Sequence, residues 1–180
     1  MHVKAGKVAT AGLMVALAVV LLCMAAVIEM SSLFFIAAAS FCVGIAIREW
    51  GLGYGVAFFV ATTGIAFLVS PNKLYCITFC AMAVYLLGSE GIWRLLLKRK
   101  NTKGWKTWFW VGKYLLFNAM YIPTLLFFPK LLFAGKMNGL FFVLALLMGQ
   151  IALFFYDMAH SYVQSVVWGK FKSFYGKEKI

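Results

Sequence analysis

Charge, and negative charge above all, is scarce in this sequence. Its 180 residues include 17 Lys or Arg but only 5 Asp or Glu, and 12% of residues are charged in total. A soluble domain has about 25% charged residues and about 45–50% apolar ones. Here 64% of residues are hydrophobic and the mean hydropathy is +0.93. A water-soluble fold of this length cannot bury that much apolar surface, so the composition predicts an all-α integral membrane protein.

Motifs for catalysis and metal binding are also lacking. The sequence contains no HExxH, no GxSxG and no glycine-rich phosphate-binding loop. The cysteines form no CxxC pair and have no histidine nearby, so neither a zinc site nor a disulfide scaffold is indicated. We therefore expect no enzymatic activity, no cofactor and no metal. The cysteines all lie in apolar runs, at Cys23, Cys42, Cys76 and Cys80.

The sequence is rich instead in long apolar runs, of which there are six. About 20 mostly apolar residues suffice to cross a bilayer. The first run is too long for the apolar core of a cleavable signal peptide, and no small-residue cleavage site follows it. Pro123 predicts a kink in the fifth run. We predict one helical bundle over residues 1–165, with six spans at about 8–28, 31–47, 53–70, 74–93, 105–128 and 138–163.

The distribution of Lys and Arg predicts the orientation of these spans. Cytoplasmic loops carry an excess of these residues. If the N-terminus is cytoplasmic, 13 of the 17 basic residues lie in inside segments and 3 lie in outside segments, at Lys73, Lys130 and Lys136. The remaining one, Lys113, lies within the fifth span. With six spans, both termini are then cytoplasmic.

The net charge of +12 indicates contact with lipid rather than nucleic acid. The basic residues form short clusters between apolar runs, and no basic domain exists outside the spans. We expect these clusters to contact anionic lipid. Residues 166–180 mix aromatic residues with lysines, which predicts an amphipathic helix on the inner leaflet. The basic linker 98–103 either satisfies the positive-inside rule or divides the bundle into two halves.

Small residues recur at intervals of four in the predicted spans. This spacing lets two helices approach closely. The pattern has two interpretations, which are packing within the chain and a docking face for a partner membrane protein. The docking candidates are Gly12 and Ala16 in the first span and Gly53, Ala57 and Ala61 in the third.

Five ionisable residues are predicted to lie in the cytoplasmic third of the membrane, on spans four to six. A charge at the bilayer centre costs at least about 2.5–3.5 kcal/mol on insertion scales. One interpretation is an interhelical ion-pair cluster that stabilises the bundle. The others are a ligand site, a proton relay or a surface for a partner. The five residues are Glu90, Arg94, Lys113, Asp157 and His160.

A second set of polar residues is expected toward the outer side. They either line a pocket that is open to the outside or bond to one another and to the backbone, as polar groups in membrane bundles do. The candidate ligand-binding residues are Glu29, Asn72, Tyr75, Asn118, Tyr121 and Gln150.

The first half of the chain resembles a known family. The alanine-rich run 8–20 and the glycine-punctuated runs 41–46 and 51–57 are similar to the first helix and the second-to-third-helix turn of S components of energy-coupling-factor transporters. Those bacterial six-helix proteins bind vitamins or other micronutrients and dock on a membrane subunit joined to two ATPases. The resemblance covers about the first 90 residues. The loop between spans one and two is almost absent here, whereas many members use a longer one to cap their ligand.

The resemblance implies a function in uptake. The chain would be the subunit of a bacterial cytoplasmic-membrane transporter that binds a vitamin-like or micronutrient-like small molecule, energised by a partner ATPase complex. The alternative is a non-transporting assembly or scaffold subunit that binds partner membrane proteins. A small molecule retained by the purified protein would favour the first, whereas protein partners are expected from both.

Overall fold

The computed structural model describes residues 5–98, 104–127, 139–167 and 169. Within these ranges every element of secondary structure is helical, which confirms the all-α prediction. The predicted linker at 98–103 and the predicted amphipathic tail lie largely outside the described residues. The helices are α1 (Ala5–Val27), α2 (Ser32–Trp50), α3 (Leu52–Val69), α4 (Lys73–Lys98), α5 (Trp105–Phe127) and α6 (Gly139–Tyr162). A 3₁₀ turn (Glu29–Ser31) precedes α2, and a π-helical turn (Val163–Val167) follows α6.

Five of the described helices are long and apolar enough to cross a membrane. These are α1 to α4 and α6 together with its π-helical turn. Helix α5 has 23 residues and is long enough, but Lys113, Asn118 and several Trp and Tyr side chains lower its hydropathy. The composition of these helices indicates a multi-pass membrane protein.

The helices extend past the charged residues that end the apolar runs. Helix α2 continues beyond Ile47 to Trp50, and α4 continues to Lys98. A charge marks where a chain leaves an apolar environment, but Arg and Glu are good helix formers and do not end a helix. Helix α2 ends at Gly51, whose φ of 94° lies in the left-handed region and whose N–H donates to Ile47 O at 2.9 Å.

The chain forms two compact units, Met1–Arg94 and Leu95–Ile180. In the first unit α2 is central and packs against both α1 and α3, which also contact each other. The buried faces consist mainly of small and aliphatic residues. On α1 they include Met14, Ala18, Leu22 and Ala25, and on α2 they include Ile36, Ala39, Ser40, Val43 and Ala46.

Close approach in the first unit depends on Gly55. A Cβ atom at this position would lie 2.3 Å from Ile47 Cγ1 and 3.3 Å from Ile47 Cα. Real Cβ atoms do not approach other atoms to 2.3 Å, so α2 and α3 can meet here only because residue 55 has no side chain.

The connection between α3 and α4 is held by side chains that cap the two helices. The Asn72 side chain accepts a hydrogen bond from Leu74 N–H at 3.0 Å, as an N-cap residue does. The Lys73 ammonium donates to Ser70 O at 2.9 Å and also to Phe67 O, two carbonyls at the C-terminal end of α3. Beyond this turn, Thr63 contacts Cys80 and Phe59 contacts Phe79.

Helices α5 and α6 contact each other within the second unit. Three polar contacts join them, from residue 113 to 157, from 118 to 150 and from 121 to 145. As the residue number rises along α5 it falls along α6, so the two helices form an antiparallel hairpin.

Candidate functional site between α5 and α6

The most buried charges among the described residues form an ion pair between α5 and α6. Lys113 Nζ lies 2.6 Å from Asp157 Oδ1, and the two side chains are 10% and 8% exposed. A buried charge is tolerated only when a partner compensates for the loss of water. Each residue therefore supplies the opposite charge that compensates the other for its loss of water.

Two aromatic rings lie close to the Lys113 ammonium. Its Nζ lies 4.4 Å from the centroid of the Phe109 ring and 5.3 Å from that of Trp110, both within the range of cation–π attraction. Side chains on a helix lean toward its N-terminus, so the residues four and three positions earlier are those that Lys113 covers. Trp110 in turn stacks on Phe154 of α6 at 6.3 Å.

A pair of amides joins the helices further along the hairpin. Gln150 Nε2 donates to Asn118 Oδ1 at 2.7 Å, and Asn118 Nδ2 donates to Tyr114 O at 2.8 Å. The Tyr121 hydroxyl donates to Ala145 O at 2.9 Å. Three predicted ligand-binding residues, Asn118, Tyr121 and Gln150, thus have hydrogen-bond partners within the hairpin. A solute bound here would have to replace some of these hydrogen bonds.

Gly149 makes room for the Tyr121 ring, and sequence reasoning did not find it. A Cβ atom at position 149 would lie 2.5 Å from Tyr121 Cε1 and 2.6 Å from Tyr121 Cζ. The signal was present, because Ala145 and Gly149 form a small-residue pair at an interval of four. The close contact places the Tyr121 hydroxyl on the backbone of α6.

His160 lies one helical turn after Asp157 on α6. Its Nε2 is 3.0 Å from Gln164 Nε2, which lies within the π-helical turn. Positions 157, 160 and 164 follow the i, i+3, i+7 spacing of one helix face. The polar face of α6 therefore extends from the buried carboxylate toward the C-terminal end of the helix.

In the first unit, the predicted charged residues form a different kind of pair. Arg94 Nε lies 2.8 Å from Glu90 Oε1, both residues belong to α4, and their side chains are 44% and 32% exposed. The structure thus pairs Glu90 with Arg94 inside the first unit and Lys113 with Asp157 inside the second.

The remaining predicted ligand-binding residues belong to the first unit. Asn72 caps α4, and Tyr75 is half-buried in the first turn of that helix. Glu29 opens the 3₁₀ turn before α2, and its side chain lies outside the described residues.

The small residues predicted as a docking face are all exposed. The residues that pack α1 to α3 together are others, such as Ala18, Ala39 and Gly55. A Cβ atom added at Gly12 or Gly53 would meet no atom within 4 Å. The exposed residues are Gly12 and Ala16 on α1 and Gly53, Ala57 and Ala61 on α3.

Within the described ranges, no three His, Cys, Asp or Glu residues come close enough together to hold a metal ion. No protein-family model matches the sequence, and neither a curated protein nor a solved structure matches it.

Proposed function

We propose that the chain crosses a bacterial cytoplasmic membrane six times, with both termini in the cytoplasm. Five helices have the length and composition of spans, and α5, with 23 residues, has the length. Its costly polar groups, Lys113 and Asn118, are both partnered on α6. A hairpin whose polar groups satisfy each other presents few of them to lipid. The asymmetry of Lys and Arg supports the orientation.

We further propose that the chain is the small-molecule-binding, non-catalytic subunit of an uptake transporter that docks on partner membrane subunits linked to an ATPase. The observation that carries this proposal is the exposure of small residues on α1 and α3. Small residues in a membrane bundle normally serve close helix packing. Here the two rows are left on the surface, where a helix of another subunit can approach them.

The two rows lie toward the same end of the first unit. Four residues join α1 to α2 and one residue joins α2 to α3, so consecutive helices that pack against each other run in opposite directions. Helices α1 and α3 are therefore parallel. Gly12 and Gly53 lie in the first halves of their helices, which is the cytoplasmic half in the proposed topology. A partner that is linked to a cytoplasmic ATPase would contact the chain at this end.

The proposed solute site uses the polar groups of the α5–α6 hairpin. Asn118, Tyr121 and Gln150 hold donors and acceptors at a depth where lipid offers none. A solute with complementary groups would take over some of these bonds. The family resemblance suggests a vitamin-like or micronutrient-like molecule.

Enlarging the exposed rows tests the docking proposal. Full-length tagged protein is crosslinked in its own membrane and purified, and the partners and any retained small molecule are identified by mass spectrometry. We expect an ATPase subunit and a small molecule with the unaltered chain. Ala16→Leu combined with Ala57→Leu should remove the ATPase by filling the space that a partner helix needs. The control is Gly91→Leu on α4, outside the two rows, where a Cβ meets no atom within 4 Å.

Loss of the ATPase from the Gly91→Leu control as well would show a general defect rather than a docking face. Recovery of membrane partners with neither an ATPase nor a small molecule would contradict the uptake function and would favour the assembly or scaffold subunit.

A further inference from the structure

The surroundings of the Lys113 ammonium have the chemistry of a cation-binding site. A carboxylate oxygen lies 2.6 Å from its Nζ, and ring centroids of Phe109 and Trp110 lie 4.4 Å and 5.3 Å away. Aromatic faces together with a carboxylate are what proteins use to recognise organic ammonium ligands. In this chain the occupant of that site is a lysine from the same helix.

The two partners of the ion pair differ in how far they can move. Lys has four methylene groups, and near the end of a span its ammonium can extend to the headgroup layer. Lys113 lies about two turns from the start of α5, with its side chain already leaning toward that end. The short Asp157 side chain, buried at 6% exposure, has no such alternative. The cation can therefore leave the site while the carboxylate stays.

Exchange of one ammonium for another preserves the electrostatic balance of the site. An unpaired charge left in a buried position is strongly destabilising. A solute ammonium that enters as Lys113 leaves keeps Asp157 paired throughout, so this cost does not arise. An anionic solute would instead have to displace Asp157 and lie against two aromatic faces, which repel negative charge. This arrangement therefore favours a cation over an anion.

We propose that Phe109, Trp110 and Asp157 form a binding site for an organic ammonium cation, and that Lys113 is the tethered resident cation which the ammonium group of a solute replaces. The site is separate from the amides of Asn118 and Gln150. The exchange rests on the proposed crossing of the membrane by α5, but it does not require docking on an ATPase complex, so failure of its test would leave the uptake function standing.

The exposure of Lys113 to an amine-reactive reagent tests the exchange directly. Full-length protein in detergent is acetylated with and without trimethylammonium chloride, which offers one N–H and three methyl groups and is not stably acylated. Lys106, which is exposed on the same helix, is the internal reference. We expect labelling of Lys113 relative to Lys106 to rise saturably. A change in the displaced fraction from about 1% to about 10% would raise it about tenfold.

Two additives separate cation recognition from other effects. The neutral tert-butanol has nearly the shape of trimethylammonium, and sodium chloride matches its ionic strength. Neither should raise the labelling of Lys113. A rise of equal size with either of them, or no saturable rise with trimethylammonium, would overturn the proposal. Because the assay uses the unaltered chain, it does not depend on whether any variant folds.

Variants then assign the site. In a calorimetric titration with trimethylammonium, Lys113→Ala should bind more tightly than the unaltered chain because the competing cation is gone. Adding Asp157→Asn to Lys113→Ala should weaken binding by at least about tenfold, since the carboxylate supplies the charge. Adding Phe109→Leu instead should weaken it about two- to fivefold, as expected for one aromatic face. Equal affinity in all three variants would place the ligand elsewhere and overturn the proposal.

Discussion

The two units of this chain hold their helices together by different chemistry. In the first, α1 to α3 meet through small and aliphatic side chains, and Gly55 lets α2 and α3 approach closely. In the second, α5 and α6 are joined by a buried ion pair, an amide pair and a hydroxyl bonded to a carbonyl. Lipid is as apolar as leucine, so apolar burial alone gives membrane helices little reason to associate. Close packing and polar bonding can each hold such helices together, and each unit relies mainly on one of them.

The two units also differ in their ion pairs. Glu90 and Arg94 are neighbours on one helix and are both substantially exposed, whereas Lys113 and Asp157 join two helices and are buried. An exposed pair adds little to stability, while a buried pair is costly to break from one side. A substitution that removes one partner should therefore lower the free energy of unfolding much more for the buried pair than for the exposed pair.

Breaking the buried pair should have the largest effect. Lys113→Met leaves Asp157 without its partner. Such changes cost about 3–5 kcal/mol in soluble proteins, and a membrane reference state softens this figure. The measurement is the free energy of unfolding in mixed micelles. Adding Asp157→Asn should recover much of the loss, because the uncompensated charge is gone.

The double variant also separates stability from function. If the pair only stabilises the hairpin, the double variant should be folded and should still retain a small molecule. A folded double variant that retains none would assign the pair to function. Lys113→Met with unchanged stability would contradict the pair itself.

Adding one methyl group at the close contacts should have the next largest effect, in both units. Gly55→Ala and Gly149→Ala each place a Cβ atom within 2.5 Å of a side chain. Overpacking of this kind typically costs about 1–3 kcal/mol. The matched control is Gly64→Ala on α3, where a Cβ meets no atom within 4 Å. That variant should be neutral or slightly stabilised, since Ala favours helix more than Gly.

The amide pair should contribute less. A double-mutant cycle with Asn118→Leu and Gln150→Leu should give a coupling energy of about 0.6 kcal/mol, the average for hydrogen bonds between membrane helices. Unfolding of the four proteins in the same micelles supplies the cycle. A coupling energy indistinguishable from zero would mean that the 2.7 Å bond adds nothing to the hairpin.

The exposed pair should contribute least. Glu90→Gln removes one charge from an i,i+4 pair on α4, which is worth about 0.3–0.5 kcal/mol in helices. This loss of stability should become smaller still as salt is added. A loss as large as that of Lys113→Met would remove the distinction between the two pairs.

The sequence was informative about the helices because their apolar runs are long. Each predicted span overlaps one helix, and the ends differ by a few residues where charged helix formers continue the helix, as at Arg48. The turn after α3 was only partly foreseen. Pro71 and Asn72 indicated an interruption, but the cap by Asn72 and the bond from Lys73 to the end of α3 depend on how the chain turns.

The site was less accessible to sequence reasoning, because pairing depends on register between helices. The spacing of Glu90, Lys113 and Asp157 gave a similar predicted depth for all three and could not tell which carboxylate pairs with the lysine. For the rows of small residues, the uncertain property was burial rather than pairing. An interval of four places Gly12 and Ala16 on one face, but it does not say whether that face is buried or exposed.

We propose that α5 crosses the membrane because α6 satisfies its polar groups. If it does, the two ends of α5 lie on opposite sides of the membrane. The native cysteines are replaced by serine, and single cysteines are introduced by Asn101→Cys and by Lys136→Cys in whole cells. A membrane-impermeant thiol reagent should label position 136 from outside and should reach position 101 only after the membrane is opened. Labelling of both positions from the same side would contradict a six-span topology, and with it the role of the Lys113–Asp157 pair within the bilayer.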